Sequence, residues 1–166
     1  MDTKSVLFVF DMTADEILYK LAAKCSTSEQ CSSDIEAKLA KYDLPDEEKT
    51  RIIRHLVEEK YIDDRRYAEA FVRDKYRFNK WGRIKIAQGL RMKGIDSETI
   101  STAMETIDET EYQNILRDLI RAKRKSTHGK SDYEINSKLV RFATGRGFEY
   151  AAIRQCLGTD DFDDWE

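Results

Sequence analysis

Basic and aromatic side chains alternate in the stretch YIDDRRYAEAFVRDKYRFNKWG, residues 61–82. From Arg65 to Lys93 the chain carries ten Lys or Arg and only two acids, Glu69 and Asp74. Cations at this density attract phosphates or an acidic protein surface, and aromatic rings between them can stack on bases. Because the whole chain has a net charge of −3, this positive charge is concentrated locally. We therefore interpret residues 61–93 as a candidate surface for a polyanion.

A helix that begins near Asp63 or Asp64 would place these residues on two faces, since either acid can cap it and favour its positive end. At about 100° per residue, Phe71 and Phe78 fall on the side of Tyr67, where we expect core packing. Four cations cluster on another face, between about 220° and 280° from Tyr67: Arg66, Arg73, Arg77 and Lys80. The alternative is that this stripe is an ordinary solvated helix face.

The positive charge continues beyond this helix. The next predicted helix carries Arg83, Lys85, Arg91 and Lys93, and a second basic block contains Arg121 and Arg124. The second block can simply suit the negative end of a helix dipole, or it can touch DNA. Tyr76 and Trp81 can stack on bases, although aromatic residues at helical spacing more often belong to a core.

The elements that must position these residues repeat along the chain. Three apolar pairs at i, i+4 spacing, Ile35/Leu39, Ile86/Leu90 and Ile135/Leu139, are separated by 51 and then 49 residues. Each pair follows a longer predicted helix and precedes a further apolar helix, so the unit consists of three helices. We predict an all-α fold of three tandem three-helix repeats, about nine helices, in an elongated curved array. A single globular bundle with accidental periodicity is the alternative.

The predicted organisation has five segments. An unassigned extension with the strand-like run SVLFVF occupies residues 1–12; three-helix repeats occupy residues 13–60, 61–108 and 109–158; an acidic tail, DDFDDWE, lies in residues 159–166. Gly94 can close a helix in the left-handed conformation, Asp96 can cap the next one, and Asp43 with Pro45 can do so in the first repeat. The tail is either a solvated terminus or a docking segment.

Enzymatic and metal functions lack candidates in this sequence. The sequence has no Ser-His-Asp set and no isolated acid pair in an apolar context. The spacing of Cys25 and Cys31 and of the two histidines does not suit zinc. HGKS, residues 128–131, lacks the first glycine of a phosphate-binding loop. We therefore expect no catalytic residues, metal or cofactor. The short apolar run and three scattered cysteines predict a cytoplasmic protein with free thiols and no membrane contact.

Residues 58–96, EEKYIDDRRYAEAFVRDKYRFNKWGRIKIAQGLRMKGID, resemble the RecX family of regulatory proteins. The similarity lies in Tyr-Ile-Asp-Asp, an aromatic followed by Ala, Phe-Val, a Gly before a basic Ile-containing turn, then Leu and Lys-Gly-Ile. In this chain the motif comprises Tyr61, Ile62, Asp63, Asp64, Tyr67, Ala68, Phe71, Val72, Gly82, Arg83, Ile86, Leu90, Lys93, Gly94 and Ile95.

The resemblance implies a row of three-helix repeats that binds the RecA recombinase and its DNA filament. It implies limited filament growth and lower ATP hydrolysis, strand exchange and stimulated repressor cleavage in DNA repair and the SOS response. We expect a monomer that also binds single- or double-stranded DNA weakly, without sequence preference. A helical DNA-binding transcription regulator and a scaffold without DNA contact are the alternatives; the first requires base-reading residues at the start of an exposed helix, and the second predicts binding insensitive to salt.

Overall fold

The computed structural model describes residues 12–158, which contain nine α-helices and no strand. The helices are α1 (Ala14–Thr27), α2 (Ser32–Leu39), α3 (Asp46–Glu58), α4 (Asp64–Arg77), α5 (Arg83–Met92), α6 (Ser97–Met104), α7 (Glu109–Arg124), α8 (Asp132–Gly145) and α9 (Tyr150–Leu157). The all-α prediction is therefore confirmed. SVLFVF and DDFDDWE lie outside the described residues.

The nine helices follow the predicted three-helix rhythm. Each of the three apolar pairs lies on the second helix of its group, and Leu39, Leu90 and Leu139 are almost completely buried there. Ile135 is only half-buried, whereas Ile35 and Ile86 are inaccessible. The tandem three-helix organisation is confirmed, and the curvature of the array and the repeat boundaries stay predictions.

The chain divides into two compact units after Tyr67, within α4. The core of the first unit consists of Ile17, Leu21, Ile35, Leu39, Ile52, Leu56 and Ile62. The first residue of α4, Asp64, accepts a hydrogen bond from the Ser32 backbone N–H at 2.9 Å. It thereby satisfies a free donor at the start of α2, where Cys31 provides no side-chain cap.

Backbone contacts join the second and third helix groups inside the second unit. The N–H of Gly82 donates to Arg146 O at 2.8 Å, and the N–H of Ile84 donates to Gly147 O at 3.0 Å. A Cβ on Gly82 would overlap backbone atoms of Gly147 and Phe148. Gly82 therefore permits the approach of two backbones at the start of α5.

Most predicted helix caps are present. Asp63 accepts from the Arg66 N–H at 3.1 Å, Asp96 accepts from the Thr99 N–H at 2.8 Å, and Gly94 has a φ of 75°. The predicted cap by Asp43 is wrong, because Pro45 directly precedes α3 and no side chain caps its first turn.

The burial of the aromatic residues differs in part from the prediction. Tyr67 is buried, as expected of a core face, and Phe71 is half-buried. Tyr76, named as a possible base-stacking residue, is buried as well. Phe78 is 78% exposed, so its assignment to the core is wrong. The cause is the end of α4 at Arg77, beyond which a step of 100° per residue no longer predicts direction.

The cysteines are free, as predicted, and burial raises the pKa of all three thiols.

Over residues 12–158 no helix combines the length and the apolar character that a membrane span requires. In the same range no group of His, Cys, Asp or Glu residues is arranged to hold a metal ion.

Candidate functional site

Arg77, at the end of α4, is held by an acid from α7. Its guanidinium makes two hydrogen bonds to Glu111, at 2.8 and 3.1 Å, and the hydroxyl of buried Tyr76 donates to the same carboxylate at 3.1 Å. The hydrogen bonds from Arg77 lower the pKa of Glu111. Arg77 therefore connects the second and third helix groups, although part of its side chain remains in solvent.

Arg83 is more enclosed than Arg77. Its guanidinium lies 2.5 Å from Glu109 and 3.2 Å from Glu149, and its carbon centre lies 4.1 Å above the Tyr112 ring. The Tyr112 hydroxyl accepts from the Arg83 N–H and donates to Glu149. Burial raises the pKa of Tyr112, which keeps the phenol protonated as a donor. With 26% of its side chain exposed, Arg83 is chiefly a structural joint.

Arg66 makes a similar connection within the first unit. Its Nε lies 2.6 Å from Glu29, and its terminal nitrogen donates to the carbonyl oxygens of Lys60 and Tyr61. Three of the predicted binding arginines therefore already have carboxylate partners in the chain. Their contact with a binding partner stays a prediction.

The cations between these joints are more accessible. The side chain of Arg73 is 53% exposed, and its ion pair with neighbouring Asp74 is long, at 3.7 Å. Lys80 is exposed and donates to the carbonyl oxygen of Arg77 at 2.6 Å. Both belong to the second unit, and neither is tied to a distant acid by the ion pairs of residues 12–158. Arg73 and Lys80 are therefore able to meet an anionic partner.

Two lysines approach the ring of Trp81, which is half-buried. The Nζ of Lys75 lies 4.7 Å from the ring centroid and that of Lys85 lies 4.5 Å from it. Phe71 meets the same ring edge-on, with centroids 6.5 Å apart. Cations beside an aromatic face suit both ring contact and phosphate contact. Lys75 was outside the predicted site although it was among the ten counted cations; only the fold shows that it faces Trp81.

The remaining predicted residues lie at other places in the second unit. Arg91 is exposed and lines a cavity of about 550 Å³ between α5 and α6, together with Ile84 and Ile100. Lys93 directly follows α5 as its C-cap residue and is half-buried. Arg121 and Arg124 occupy the last turn of α7, where cations suit the helix dipole as predicted. They lie 3.7 Å from Asp118 and 3.1 Å from Asn136, respectively.

The fold defines the class of protein: an all-α chain built from consecutive three-helix groups. Some cations on these groups are paired with acids, and others are accessible. Residues 63–104 match the model of the second three-helix domain of RecX, and residues 109–157 match that of the third. The chain is 30% identical over 132 residues to the regulatory protein RecX of Neisseria meningitidis serogroup C, which covers 80% of this chain and 82% of the relative. The chain therefore belongs to the RecX family of regulatory proteins.

Other relatives differ more in length. The chain is 30% identical to the regulatory protein RecX of Mycolicibacterium smegmatis over 70% of its own length, and 32% identical to that of Oceanobacillus iheyensis over 77%. It spans only 64% and 49% of those two relatives. The crystal structure of RecX from Lactobacillus salivarius shares the fold, with a TM-score of 0.77 at 23% identity over 87% of this chain and 94% of that one.

Proposed function

We propose that this protein binds RecA filaments on DNA and lowers their ATPase, strand-exchange and coprotease activities. The observation that carries the proposal is its membership of the RecX family, supported by a match over 80% of the chain. The protein acts as a binding partner and requires no catalytic group of its own. DNA contact is weak and independent of sequence, because it uses lysine and arginine charges toward phosphates.

The contact surface lies in the second unit and centres on its accessible cations. Arg73 and Lys80 supply exposed charge beside the end of α4, and Lys75 and Lys85 frame Trp81. Arg66, Arg77 and Arg83 contribute mainly by holding helices in place, since each has a glutamate partner within the chain. Several modest contacts can add along a filament that repeats its binding site.

RecA ATPase activity on single-stranded DNA tests the proposal. The parent protein is titrated to substoichiometric amounts, and its half-inhibitory concentration is compared with that of an Arg73→Glu/Lys80→Glu variant. Two exposed charge reversals should raise this concentration by roughly tenfold at moderate salt and by less at high salt. Neither residue is buried, so circular dichroism should show an unchanged fold.

An Arg54→Glu/Arg141→Glu variant is the matched control, because it makes the same change in net charge at two exposed arginines outside the proposed surface. It should inhibit RecA like the parent. Equal inhibition by the Arg73/Lys80 variant at every salt concentration would remove the surface from the proposal. A parent protein without any effect on RecA ATPase, strand exchange or repressor cleavage would remove the function itself.

A further inference from the structure

A groove in the first unit is lined by apolar side chains and by four lysines. It has a volume of about 530 Å³ and lies between α1 and the end of α2. Its lining consists of Lys20, Leu21, Ala23, Lys24, Thr27, Lys38, Lys41 and Tyr42. Four of these eight residues are lysines and none is an acid. The volume is in the range of ligand-binding clefts.

The lysines are available to a partner. Lys20, Lys24 and Lys41 are exposed, and no ion pair within residues 12–158 involves their ammonium groups. Lys38 is half-buried, and its Nζ donates to Gln30 Oε1 at 2.7 Å. Because Gln30 is itself only 8% exposed, this contact fixes one cation at the rim. Uncompensated cations repel one another unless an anionic group lies between them.

We propose that this groove binds an acidic peptide segment of a partner protein, with an aromatic side chain of that segment on the apolar floor. The floor is formed by Leu21, Ala23 and the ring of Tyr42, which offer burial to an apolar group. The four lysines offer charge complementarity to carboxylates that flank that group in the peptide. The groove belongs to the first unit, whereas the residues of the proposed filament surface belong to the second.

A peptide fits this arrangement better than a nucleic acid does. A phosphate backbone presents regularly spaced charges along a line and needs a track of cations. Here the four lysines share the lining of the groove with the apolar side chains of Leu21, Ala23 and Tyr42, which a sugar-phosphate chain would leave uncovered. A short peptide with alternating acids and aromatic residues satisfies the rim and the floor together.

Fluorescence anisotropy with a labelled octapeptide tests the proposal. The sequence TDDFDDWE, residues 159–166 of this chain, has the required composition and serves as the probe. The protein is the full chain in which those acids are replaced by Asp160→Asn, Asp161→Asn, Asp163→Asn, Asp164→Asn and Glu166→Gln, so that its own terminus does not compete. The probe should bind saturably, whereas TNNFNNWQ and TDDADDAE should each bind at least roughly tenfold more weakly.

Variants locate the binding to the groove. Binding of the probe should weaken by roughly tenfold in the variant Lys20→Gln/Lys24→Gln/Lys41→Gln. It should not weaken in the matched triple variant Lys49→Gln/Arg54→Gln/Lys60→Gln. Ala23→Phe, which fills the groove from an exposed position, should also weaken binding of the probe. Ala37→Phe, at an exposed position of α2 outside the groove lining, should leave it unchanged. These two pairs separate the loss of charge from the loss of space.

Three results would overturn the proposal: absence of saturable binding, equal binding of the uncharged peptide, or equal losses in the groove variants and their controls. An oligothymidylate is titrated in parallel. If the lysine triple loses affinity for the oligothymidylate while the parent does not bind the peptide, the groove is a nucleic-acid site and the peptide proposal is wrong.

Discussion

Arg83 and Arg73 lie ten positions apart in the same basic stretch, yet their surroundings are opposite. Arg83 is 26% exposed and lies between two glutamates and a tyrosine ring. Arg73 is 53% exposed, and within residues 12–158 its ion pair is a 3.7 Å contact with its neighbour Asp74. The sequence shows one cationic region, whereas the structure separates it into a joint between helix groups and an accessible surface. A density of positive charge therefore does not by itself identify binding residues.

The largest effect is expected at the joint beside Arg83. Gly82→Ala should lower the free energy of unfolding of the second unit by about 3 kcal/mol, because the new Cβ overlaps backbone atoms that cannot rotate away. Urea unfolding followed by circular dichroism measures this change. Gly145→Ala is the control: it ends α8 with no atom within 4 Å of its Cβ and should be neutral or slightly stabilising. Equal stabilities would show that the backbones are not in close contact.

The two arginines provide the direct comparison. Arg83→Gln should lower the free energy of unfolding by about 2 kcal/mol. The half-buried carboxylate of Glu149 loses its charged partner and keeps the hydrogen bond from the Tyr112 hydroxyl. Arg73→Gln should lower the free energy of unfolding by less than about 0.5 kcal/mol, as is usual when an exposed charge is removed. Conversely, only Arg73→Gln should weaken RecA inhibition per folded molecule. If both substitutions have the same effect on stability, the distinction between joint and surface is wrong.

A smaller effect should appear in the pH dependence at Arg77. Since Arg77 lowers the pKa of Glu111, this pair stabilises the folded protein above the ordinary carboxyl value near 4.5 and ceases to do so as the pH falls through the lowered value. Arg77→Gln should therefore be less stable than the parent at about pH 6, and the difference should shrink progressively as the pH falls below about 4.5. Urea midpoints across this range measure it. A constant difference would mean that Glu111 titrates normally.

Local sequence signals predicted much of the fold. Apolar pairs such as Ile86 and Leu90 identified the second helix of each group, and Asp63, Gly94 and Asp96 identified helix boundaries. These features depend on residues a few positions apart. Phe78 was assigned wrongly because its direction depends on where α4 ends, and that end is set by the surrounding fold.

The surface was less predictable, because its pairings are distant in sequence. Arg77 meets Glu111 across 34 positions, and Arg83 meets Glu149 across 66. The charge count correctly showed that few acids lie near these arginines along the chain, but it carries no information on acids from later helices. The motif residue Gly82 likewise has a clear role only when its contact with Gly147 and Phe148 is visible.

The start of α5 has no side-chain cap of its own; its N–H groups donate to Arg146 O, Gly147 O and the Tyr112 hydroxyl. During synthesis, the first residues of α5 are therefore added to the chain more than sixty residues before their last acceptor, Gly147. At roughly 5 to 20 residues per second this interval lasts several seconds. The second helix group acquires its final stability only after translation has reached the third.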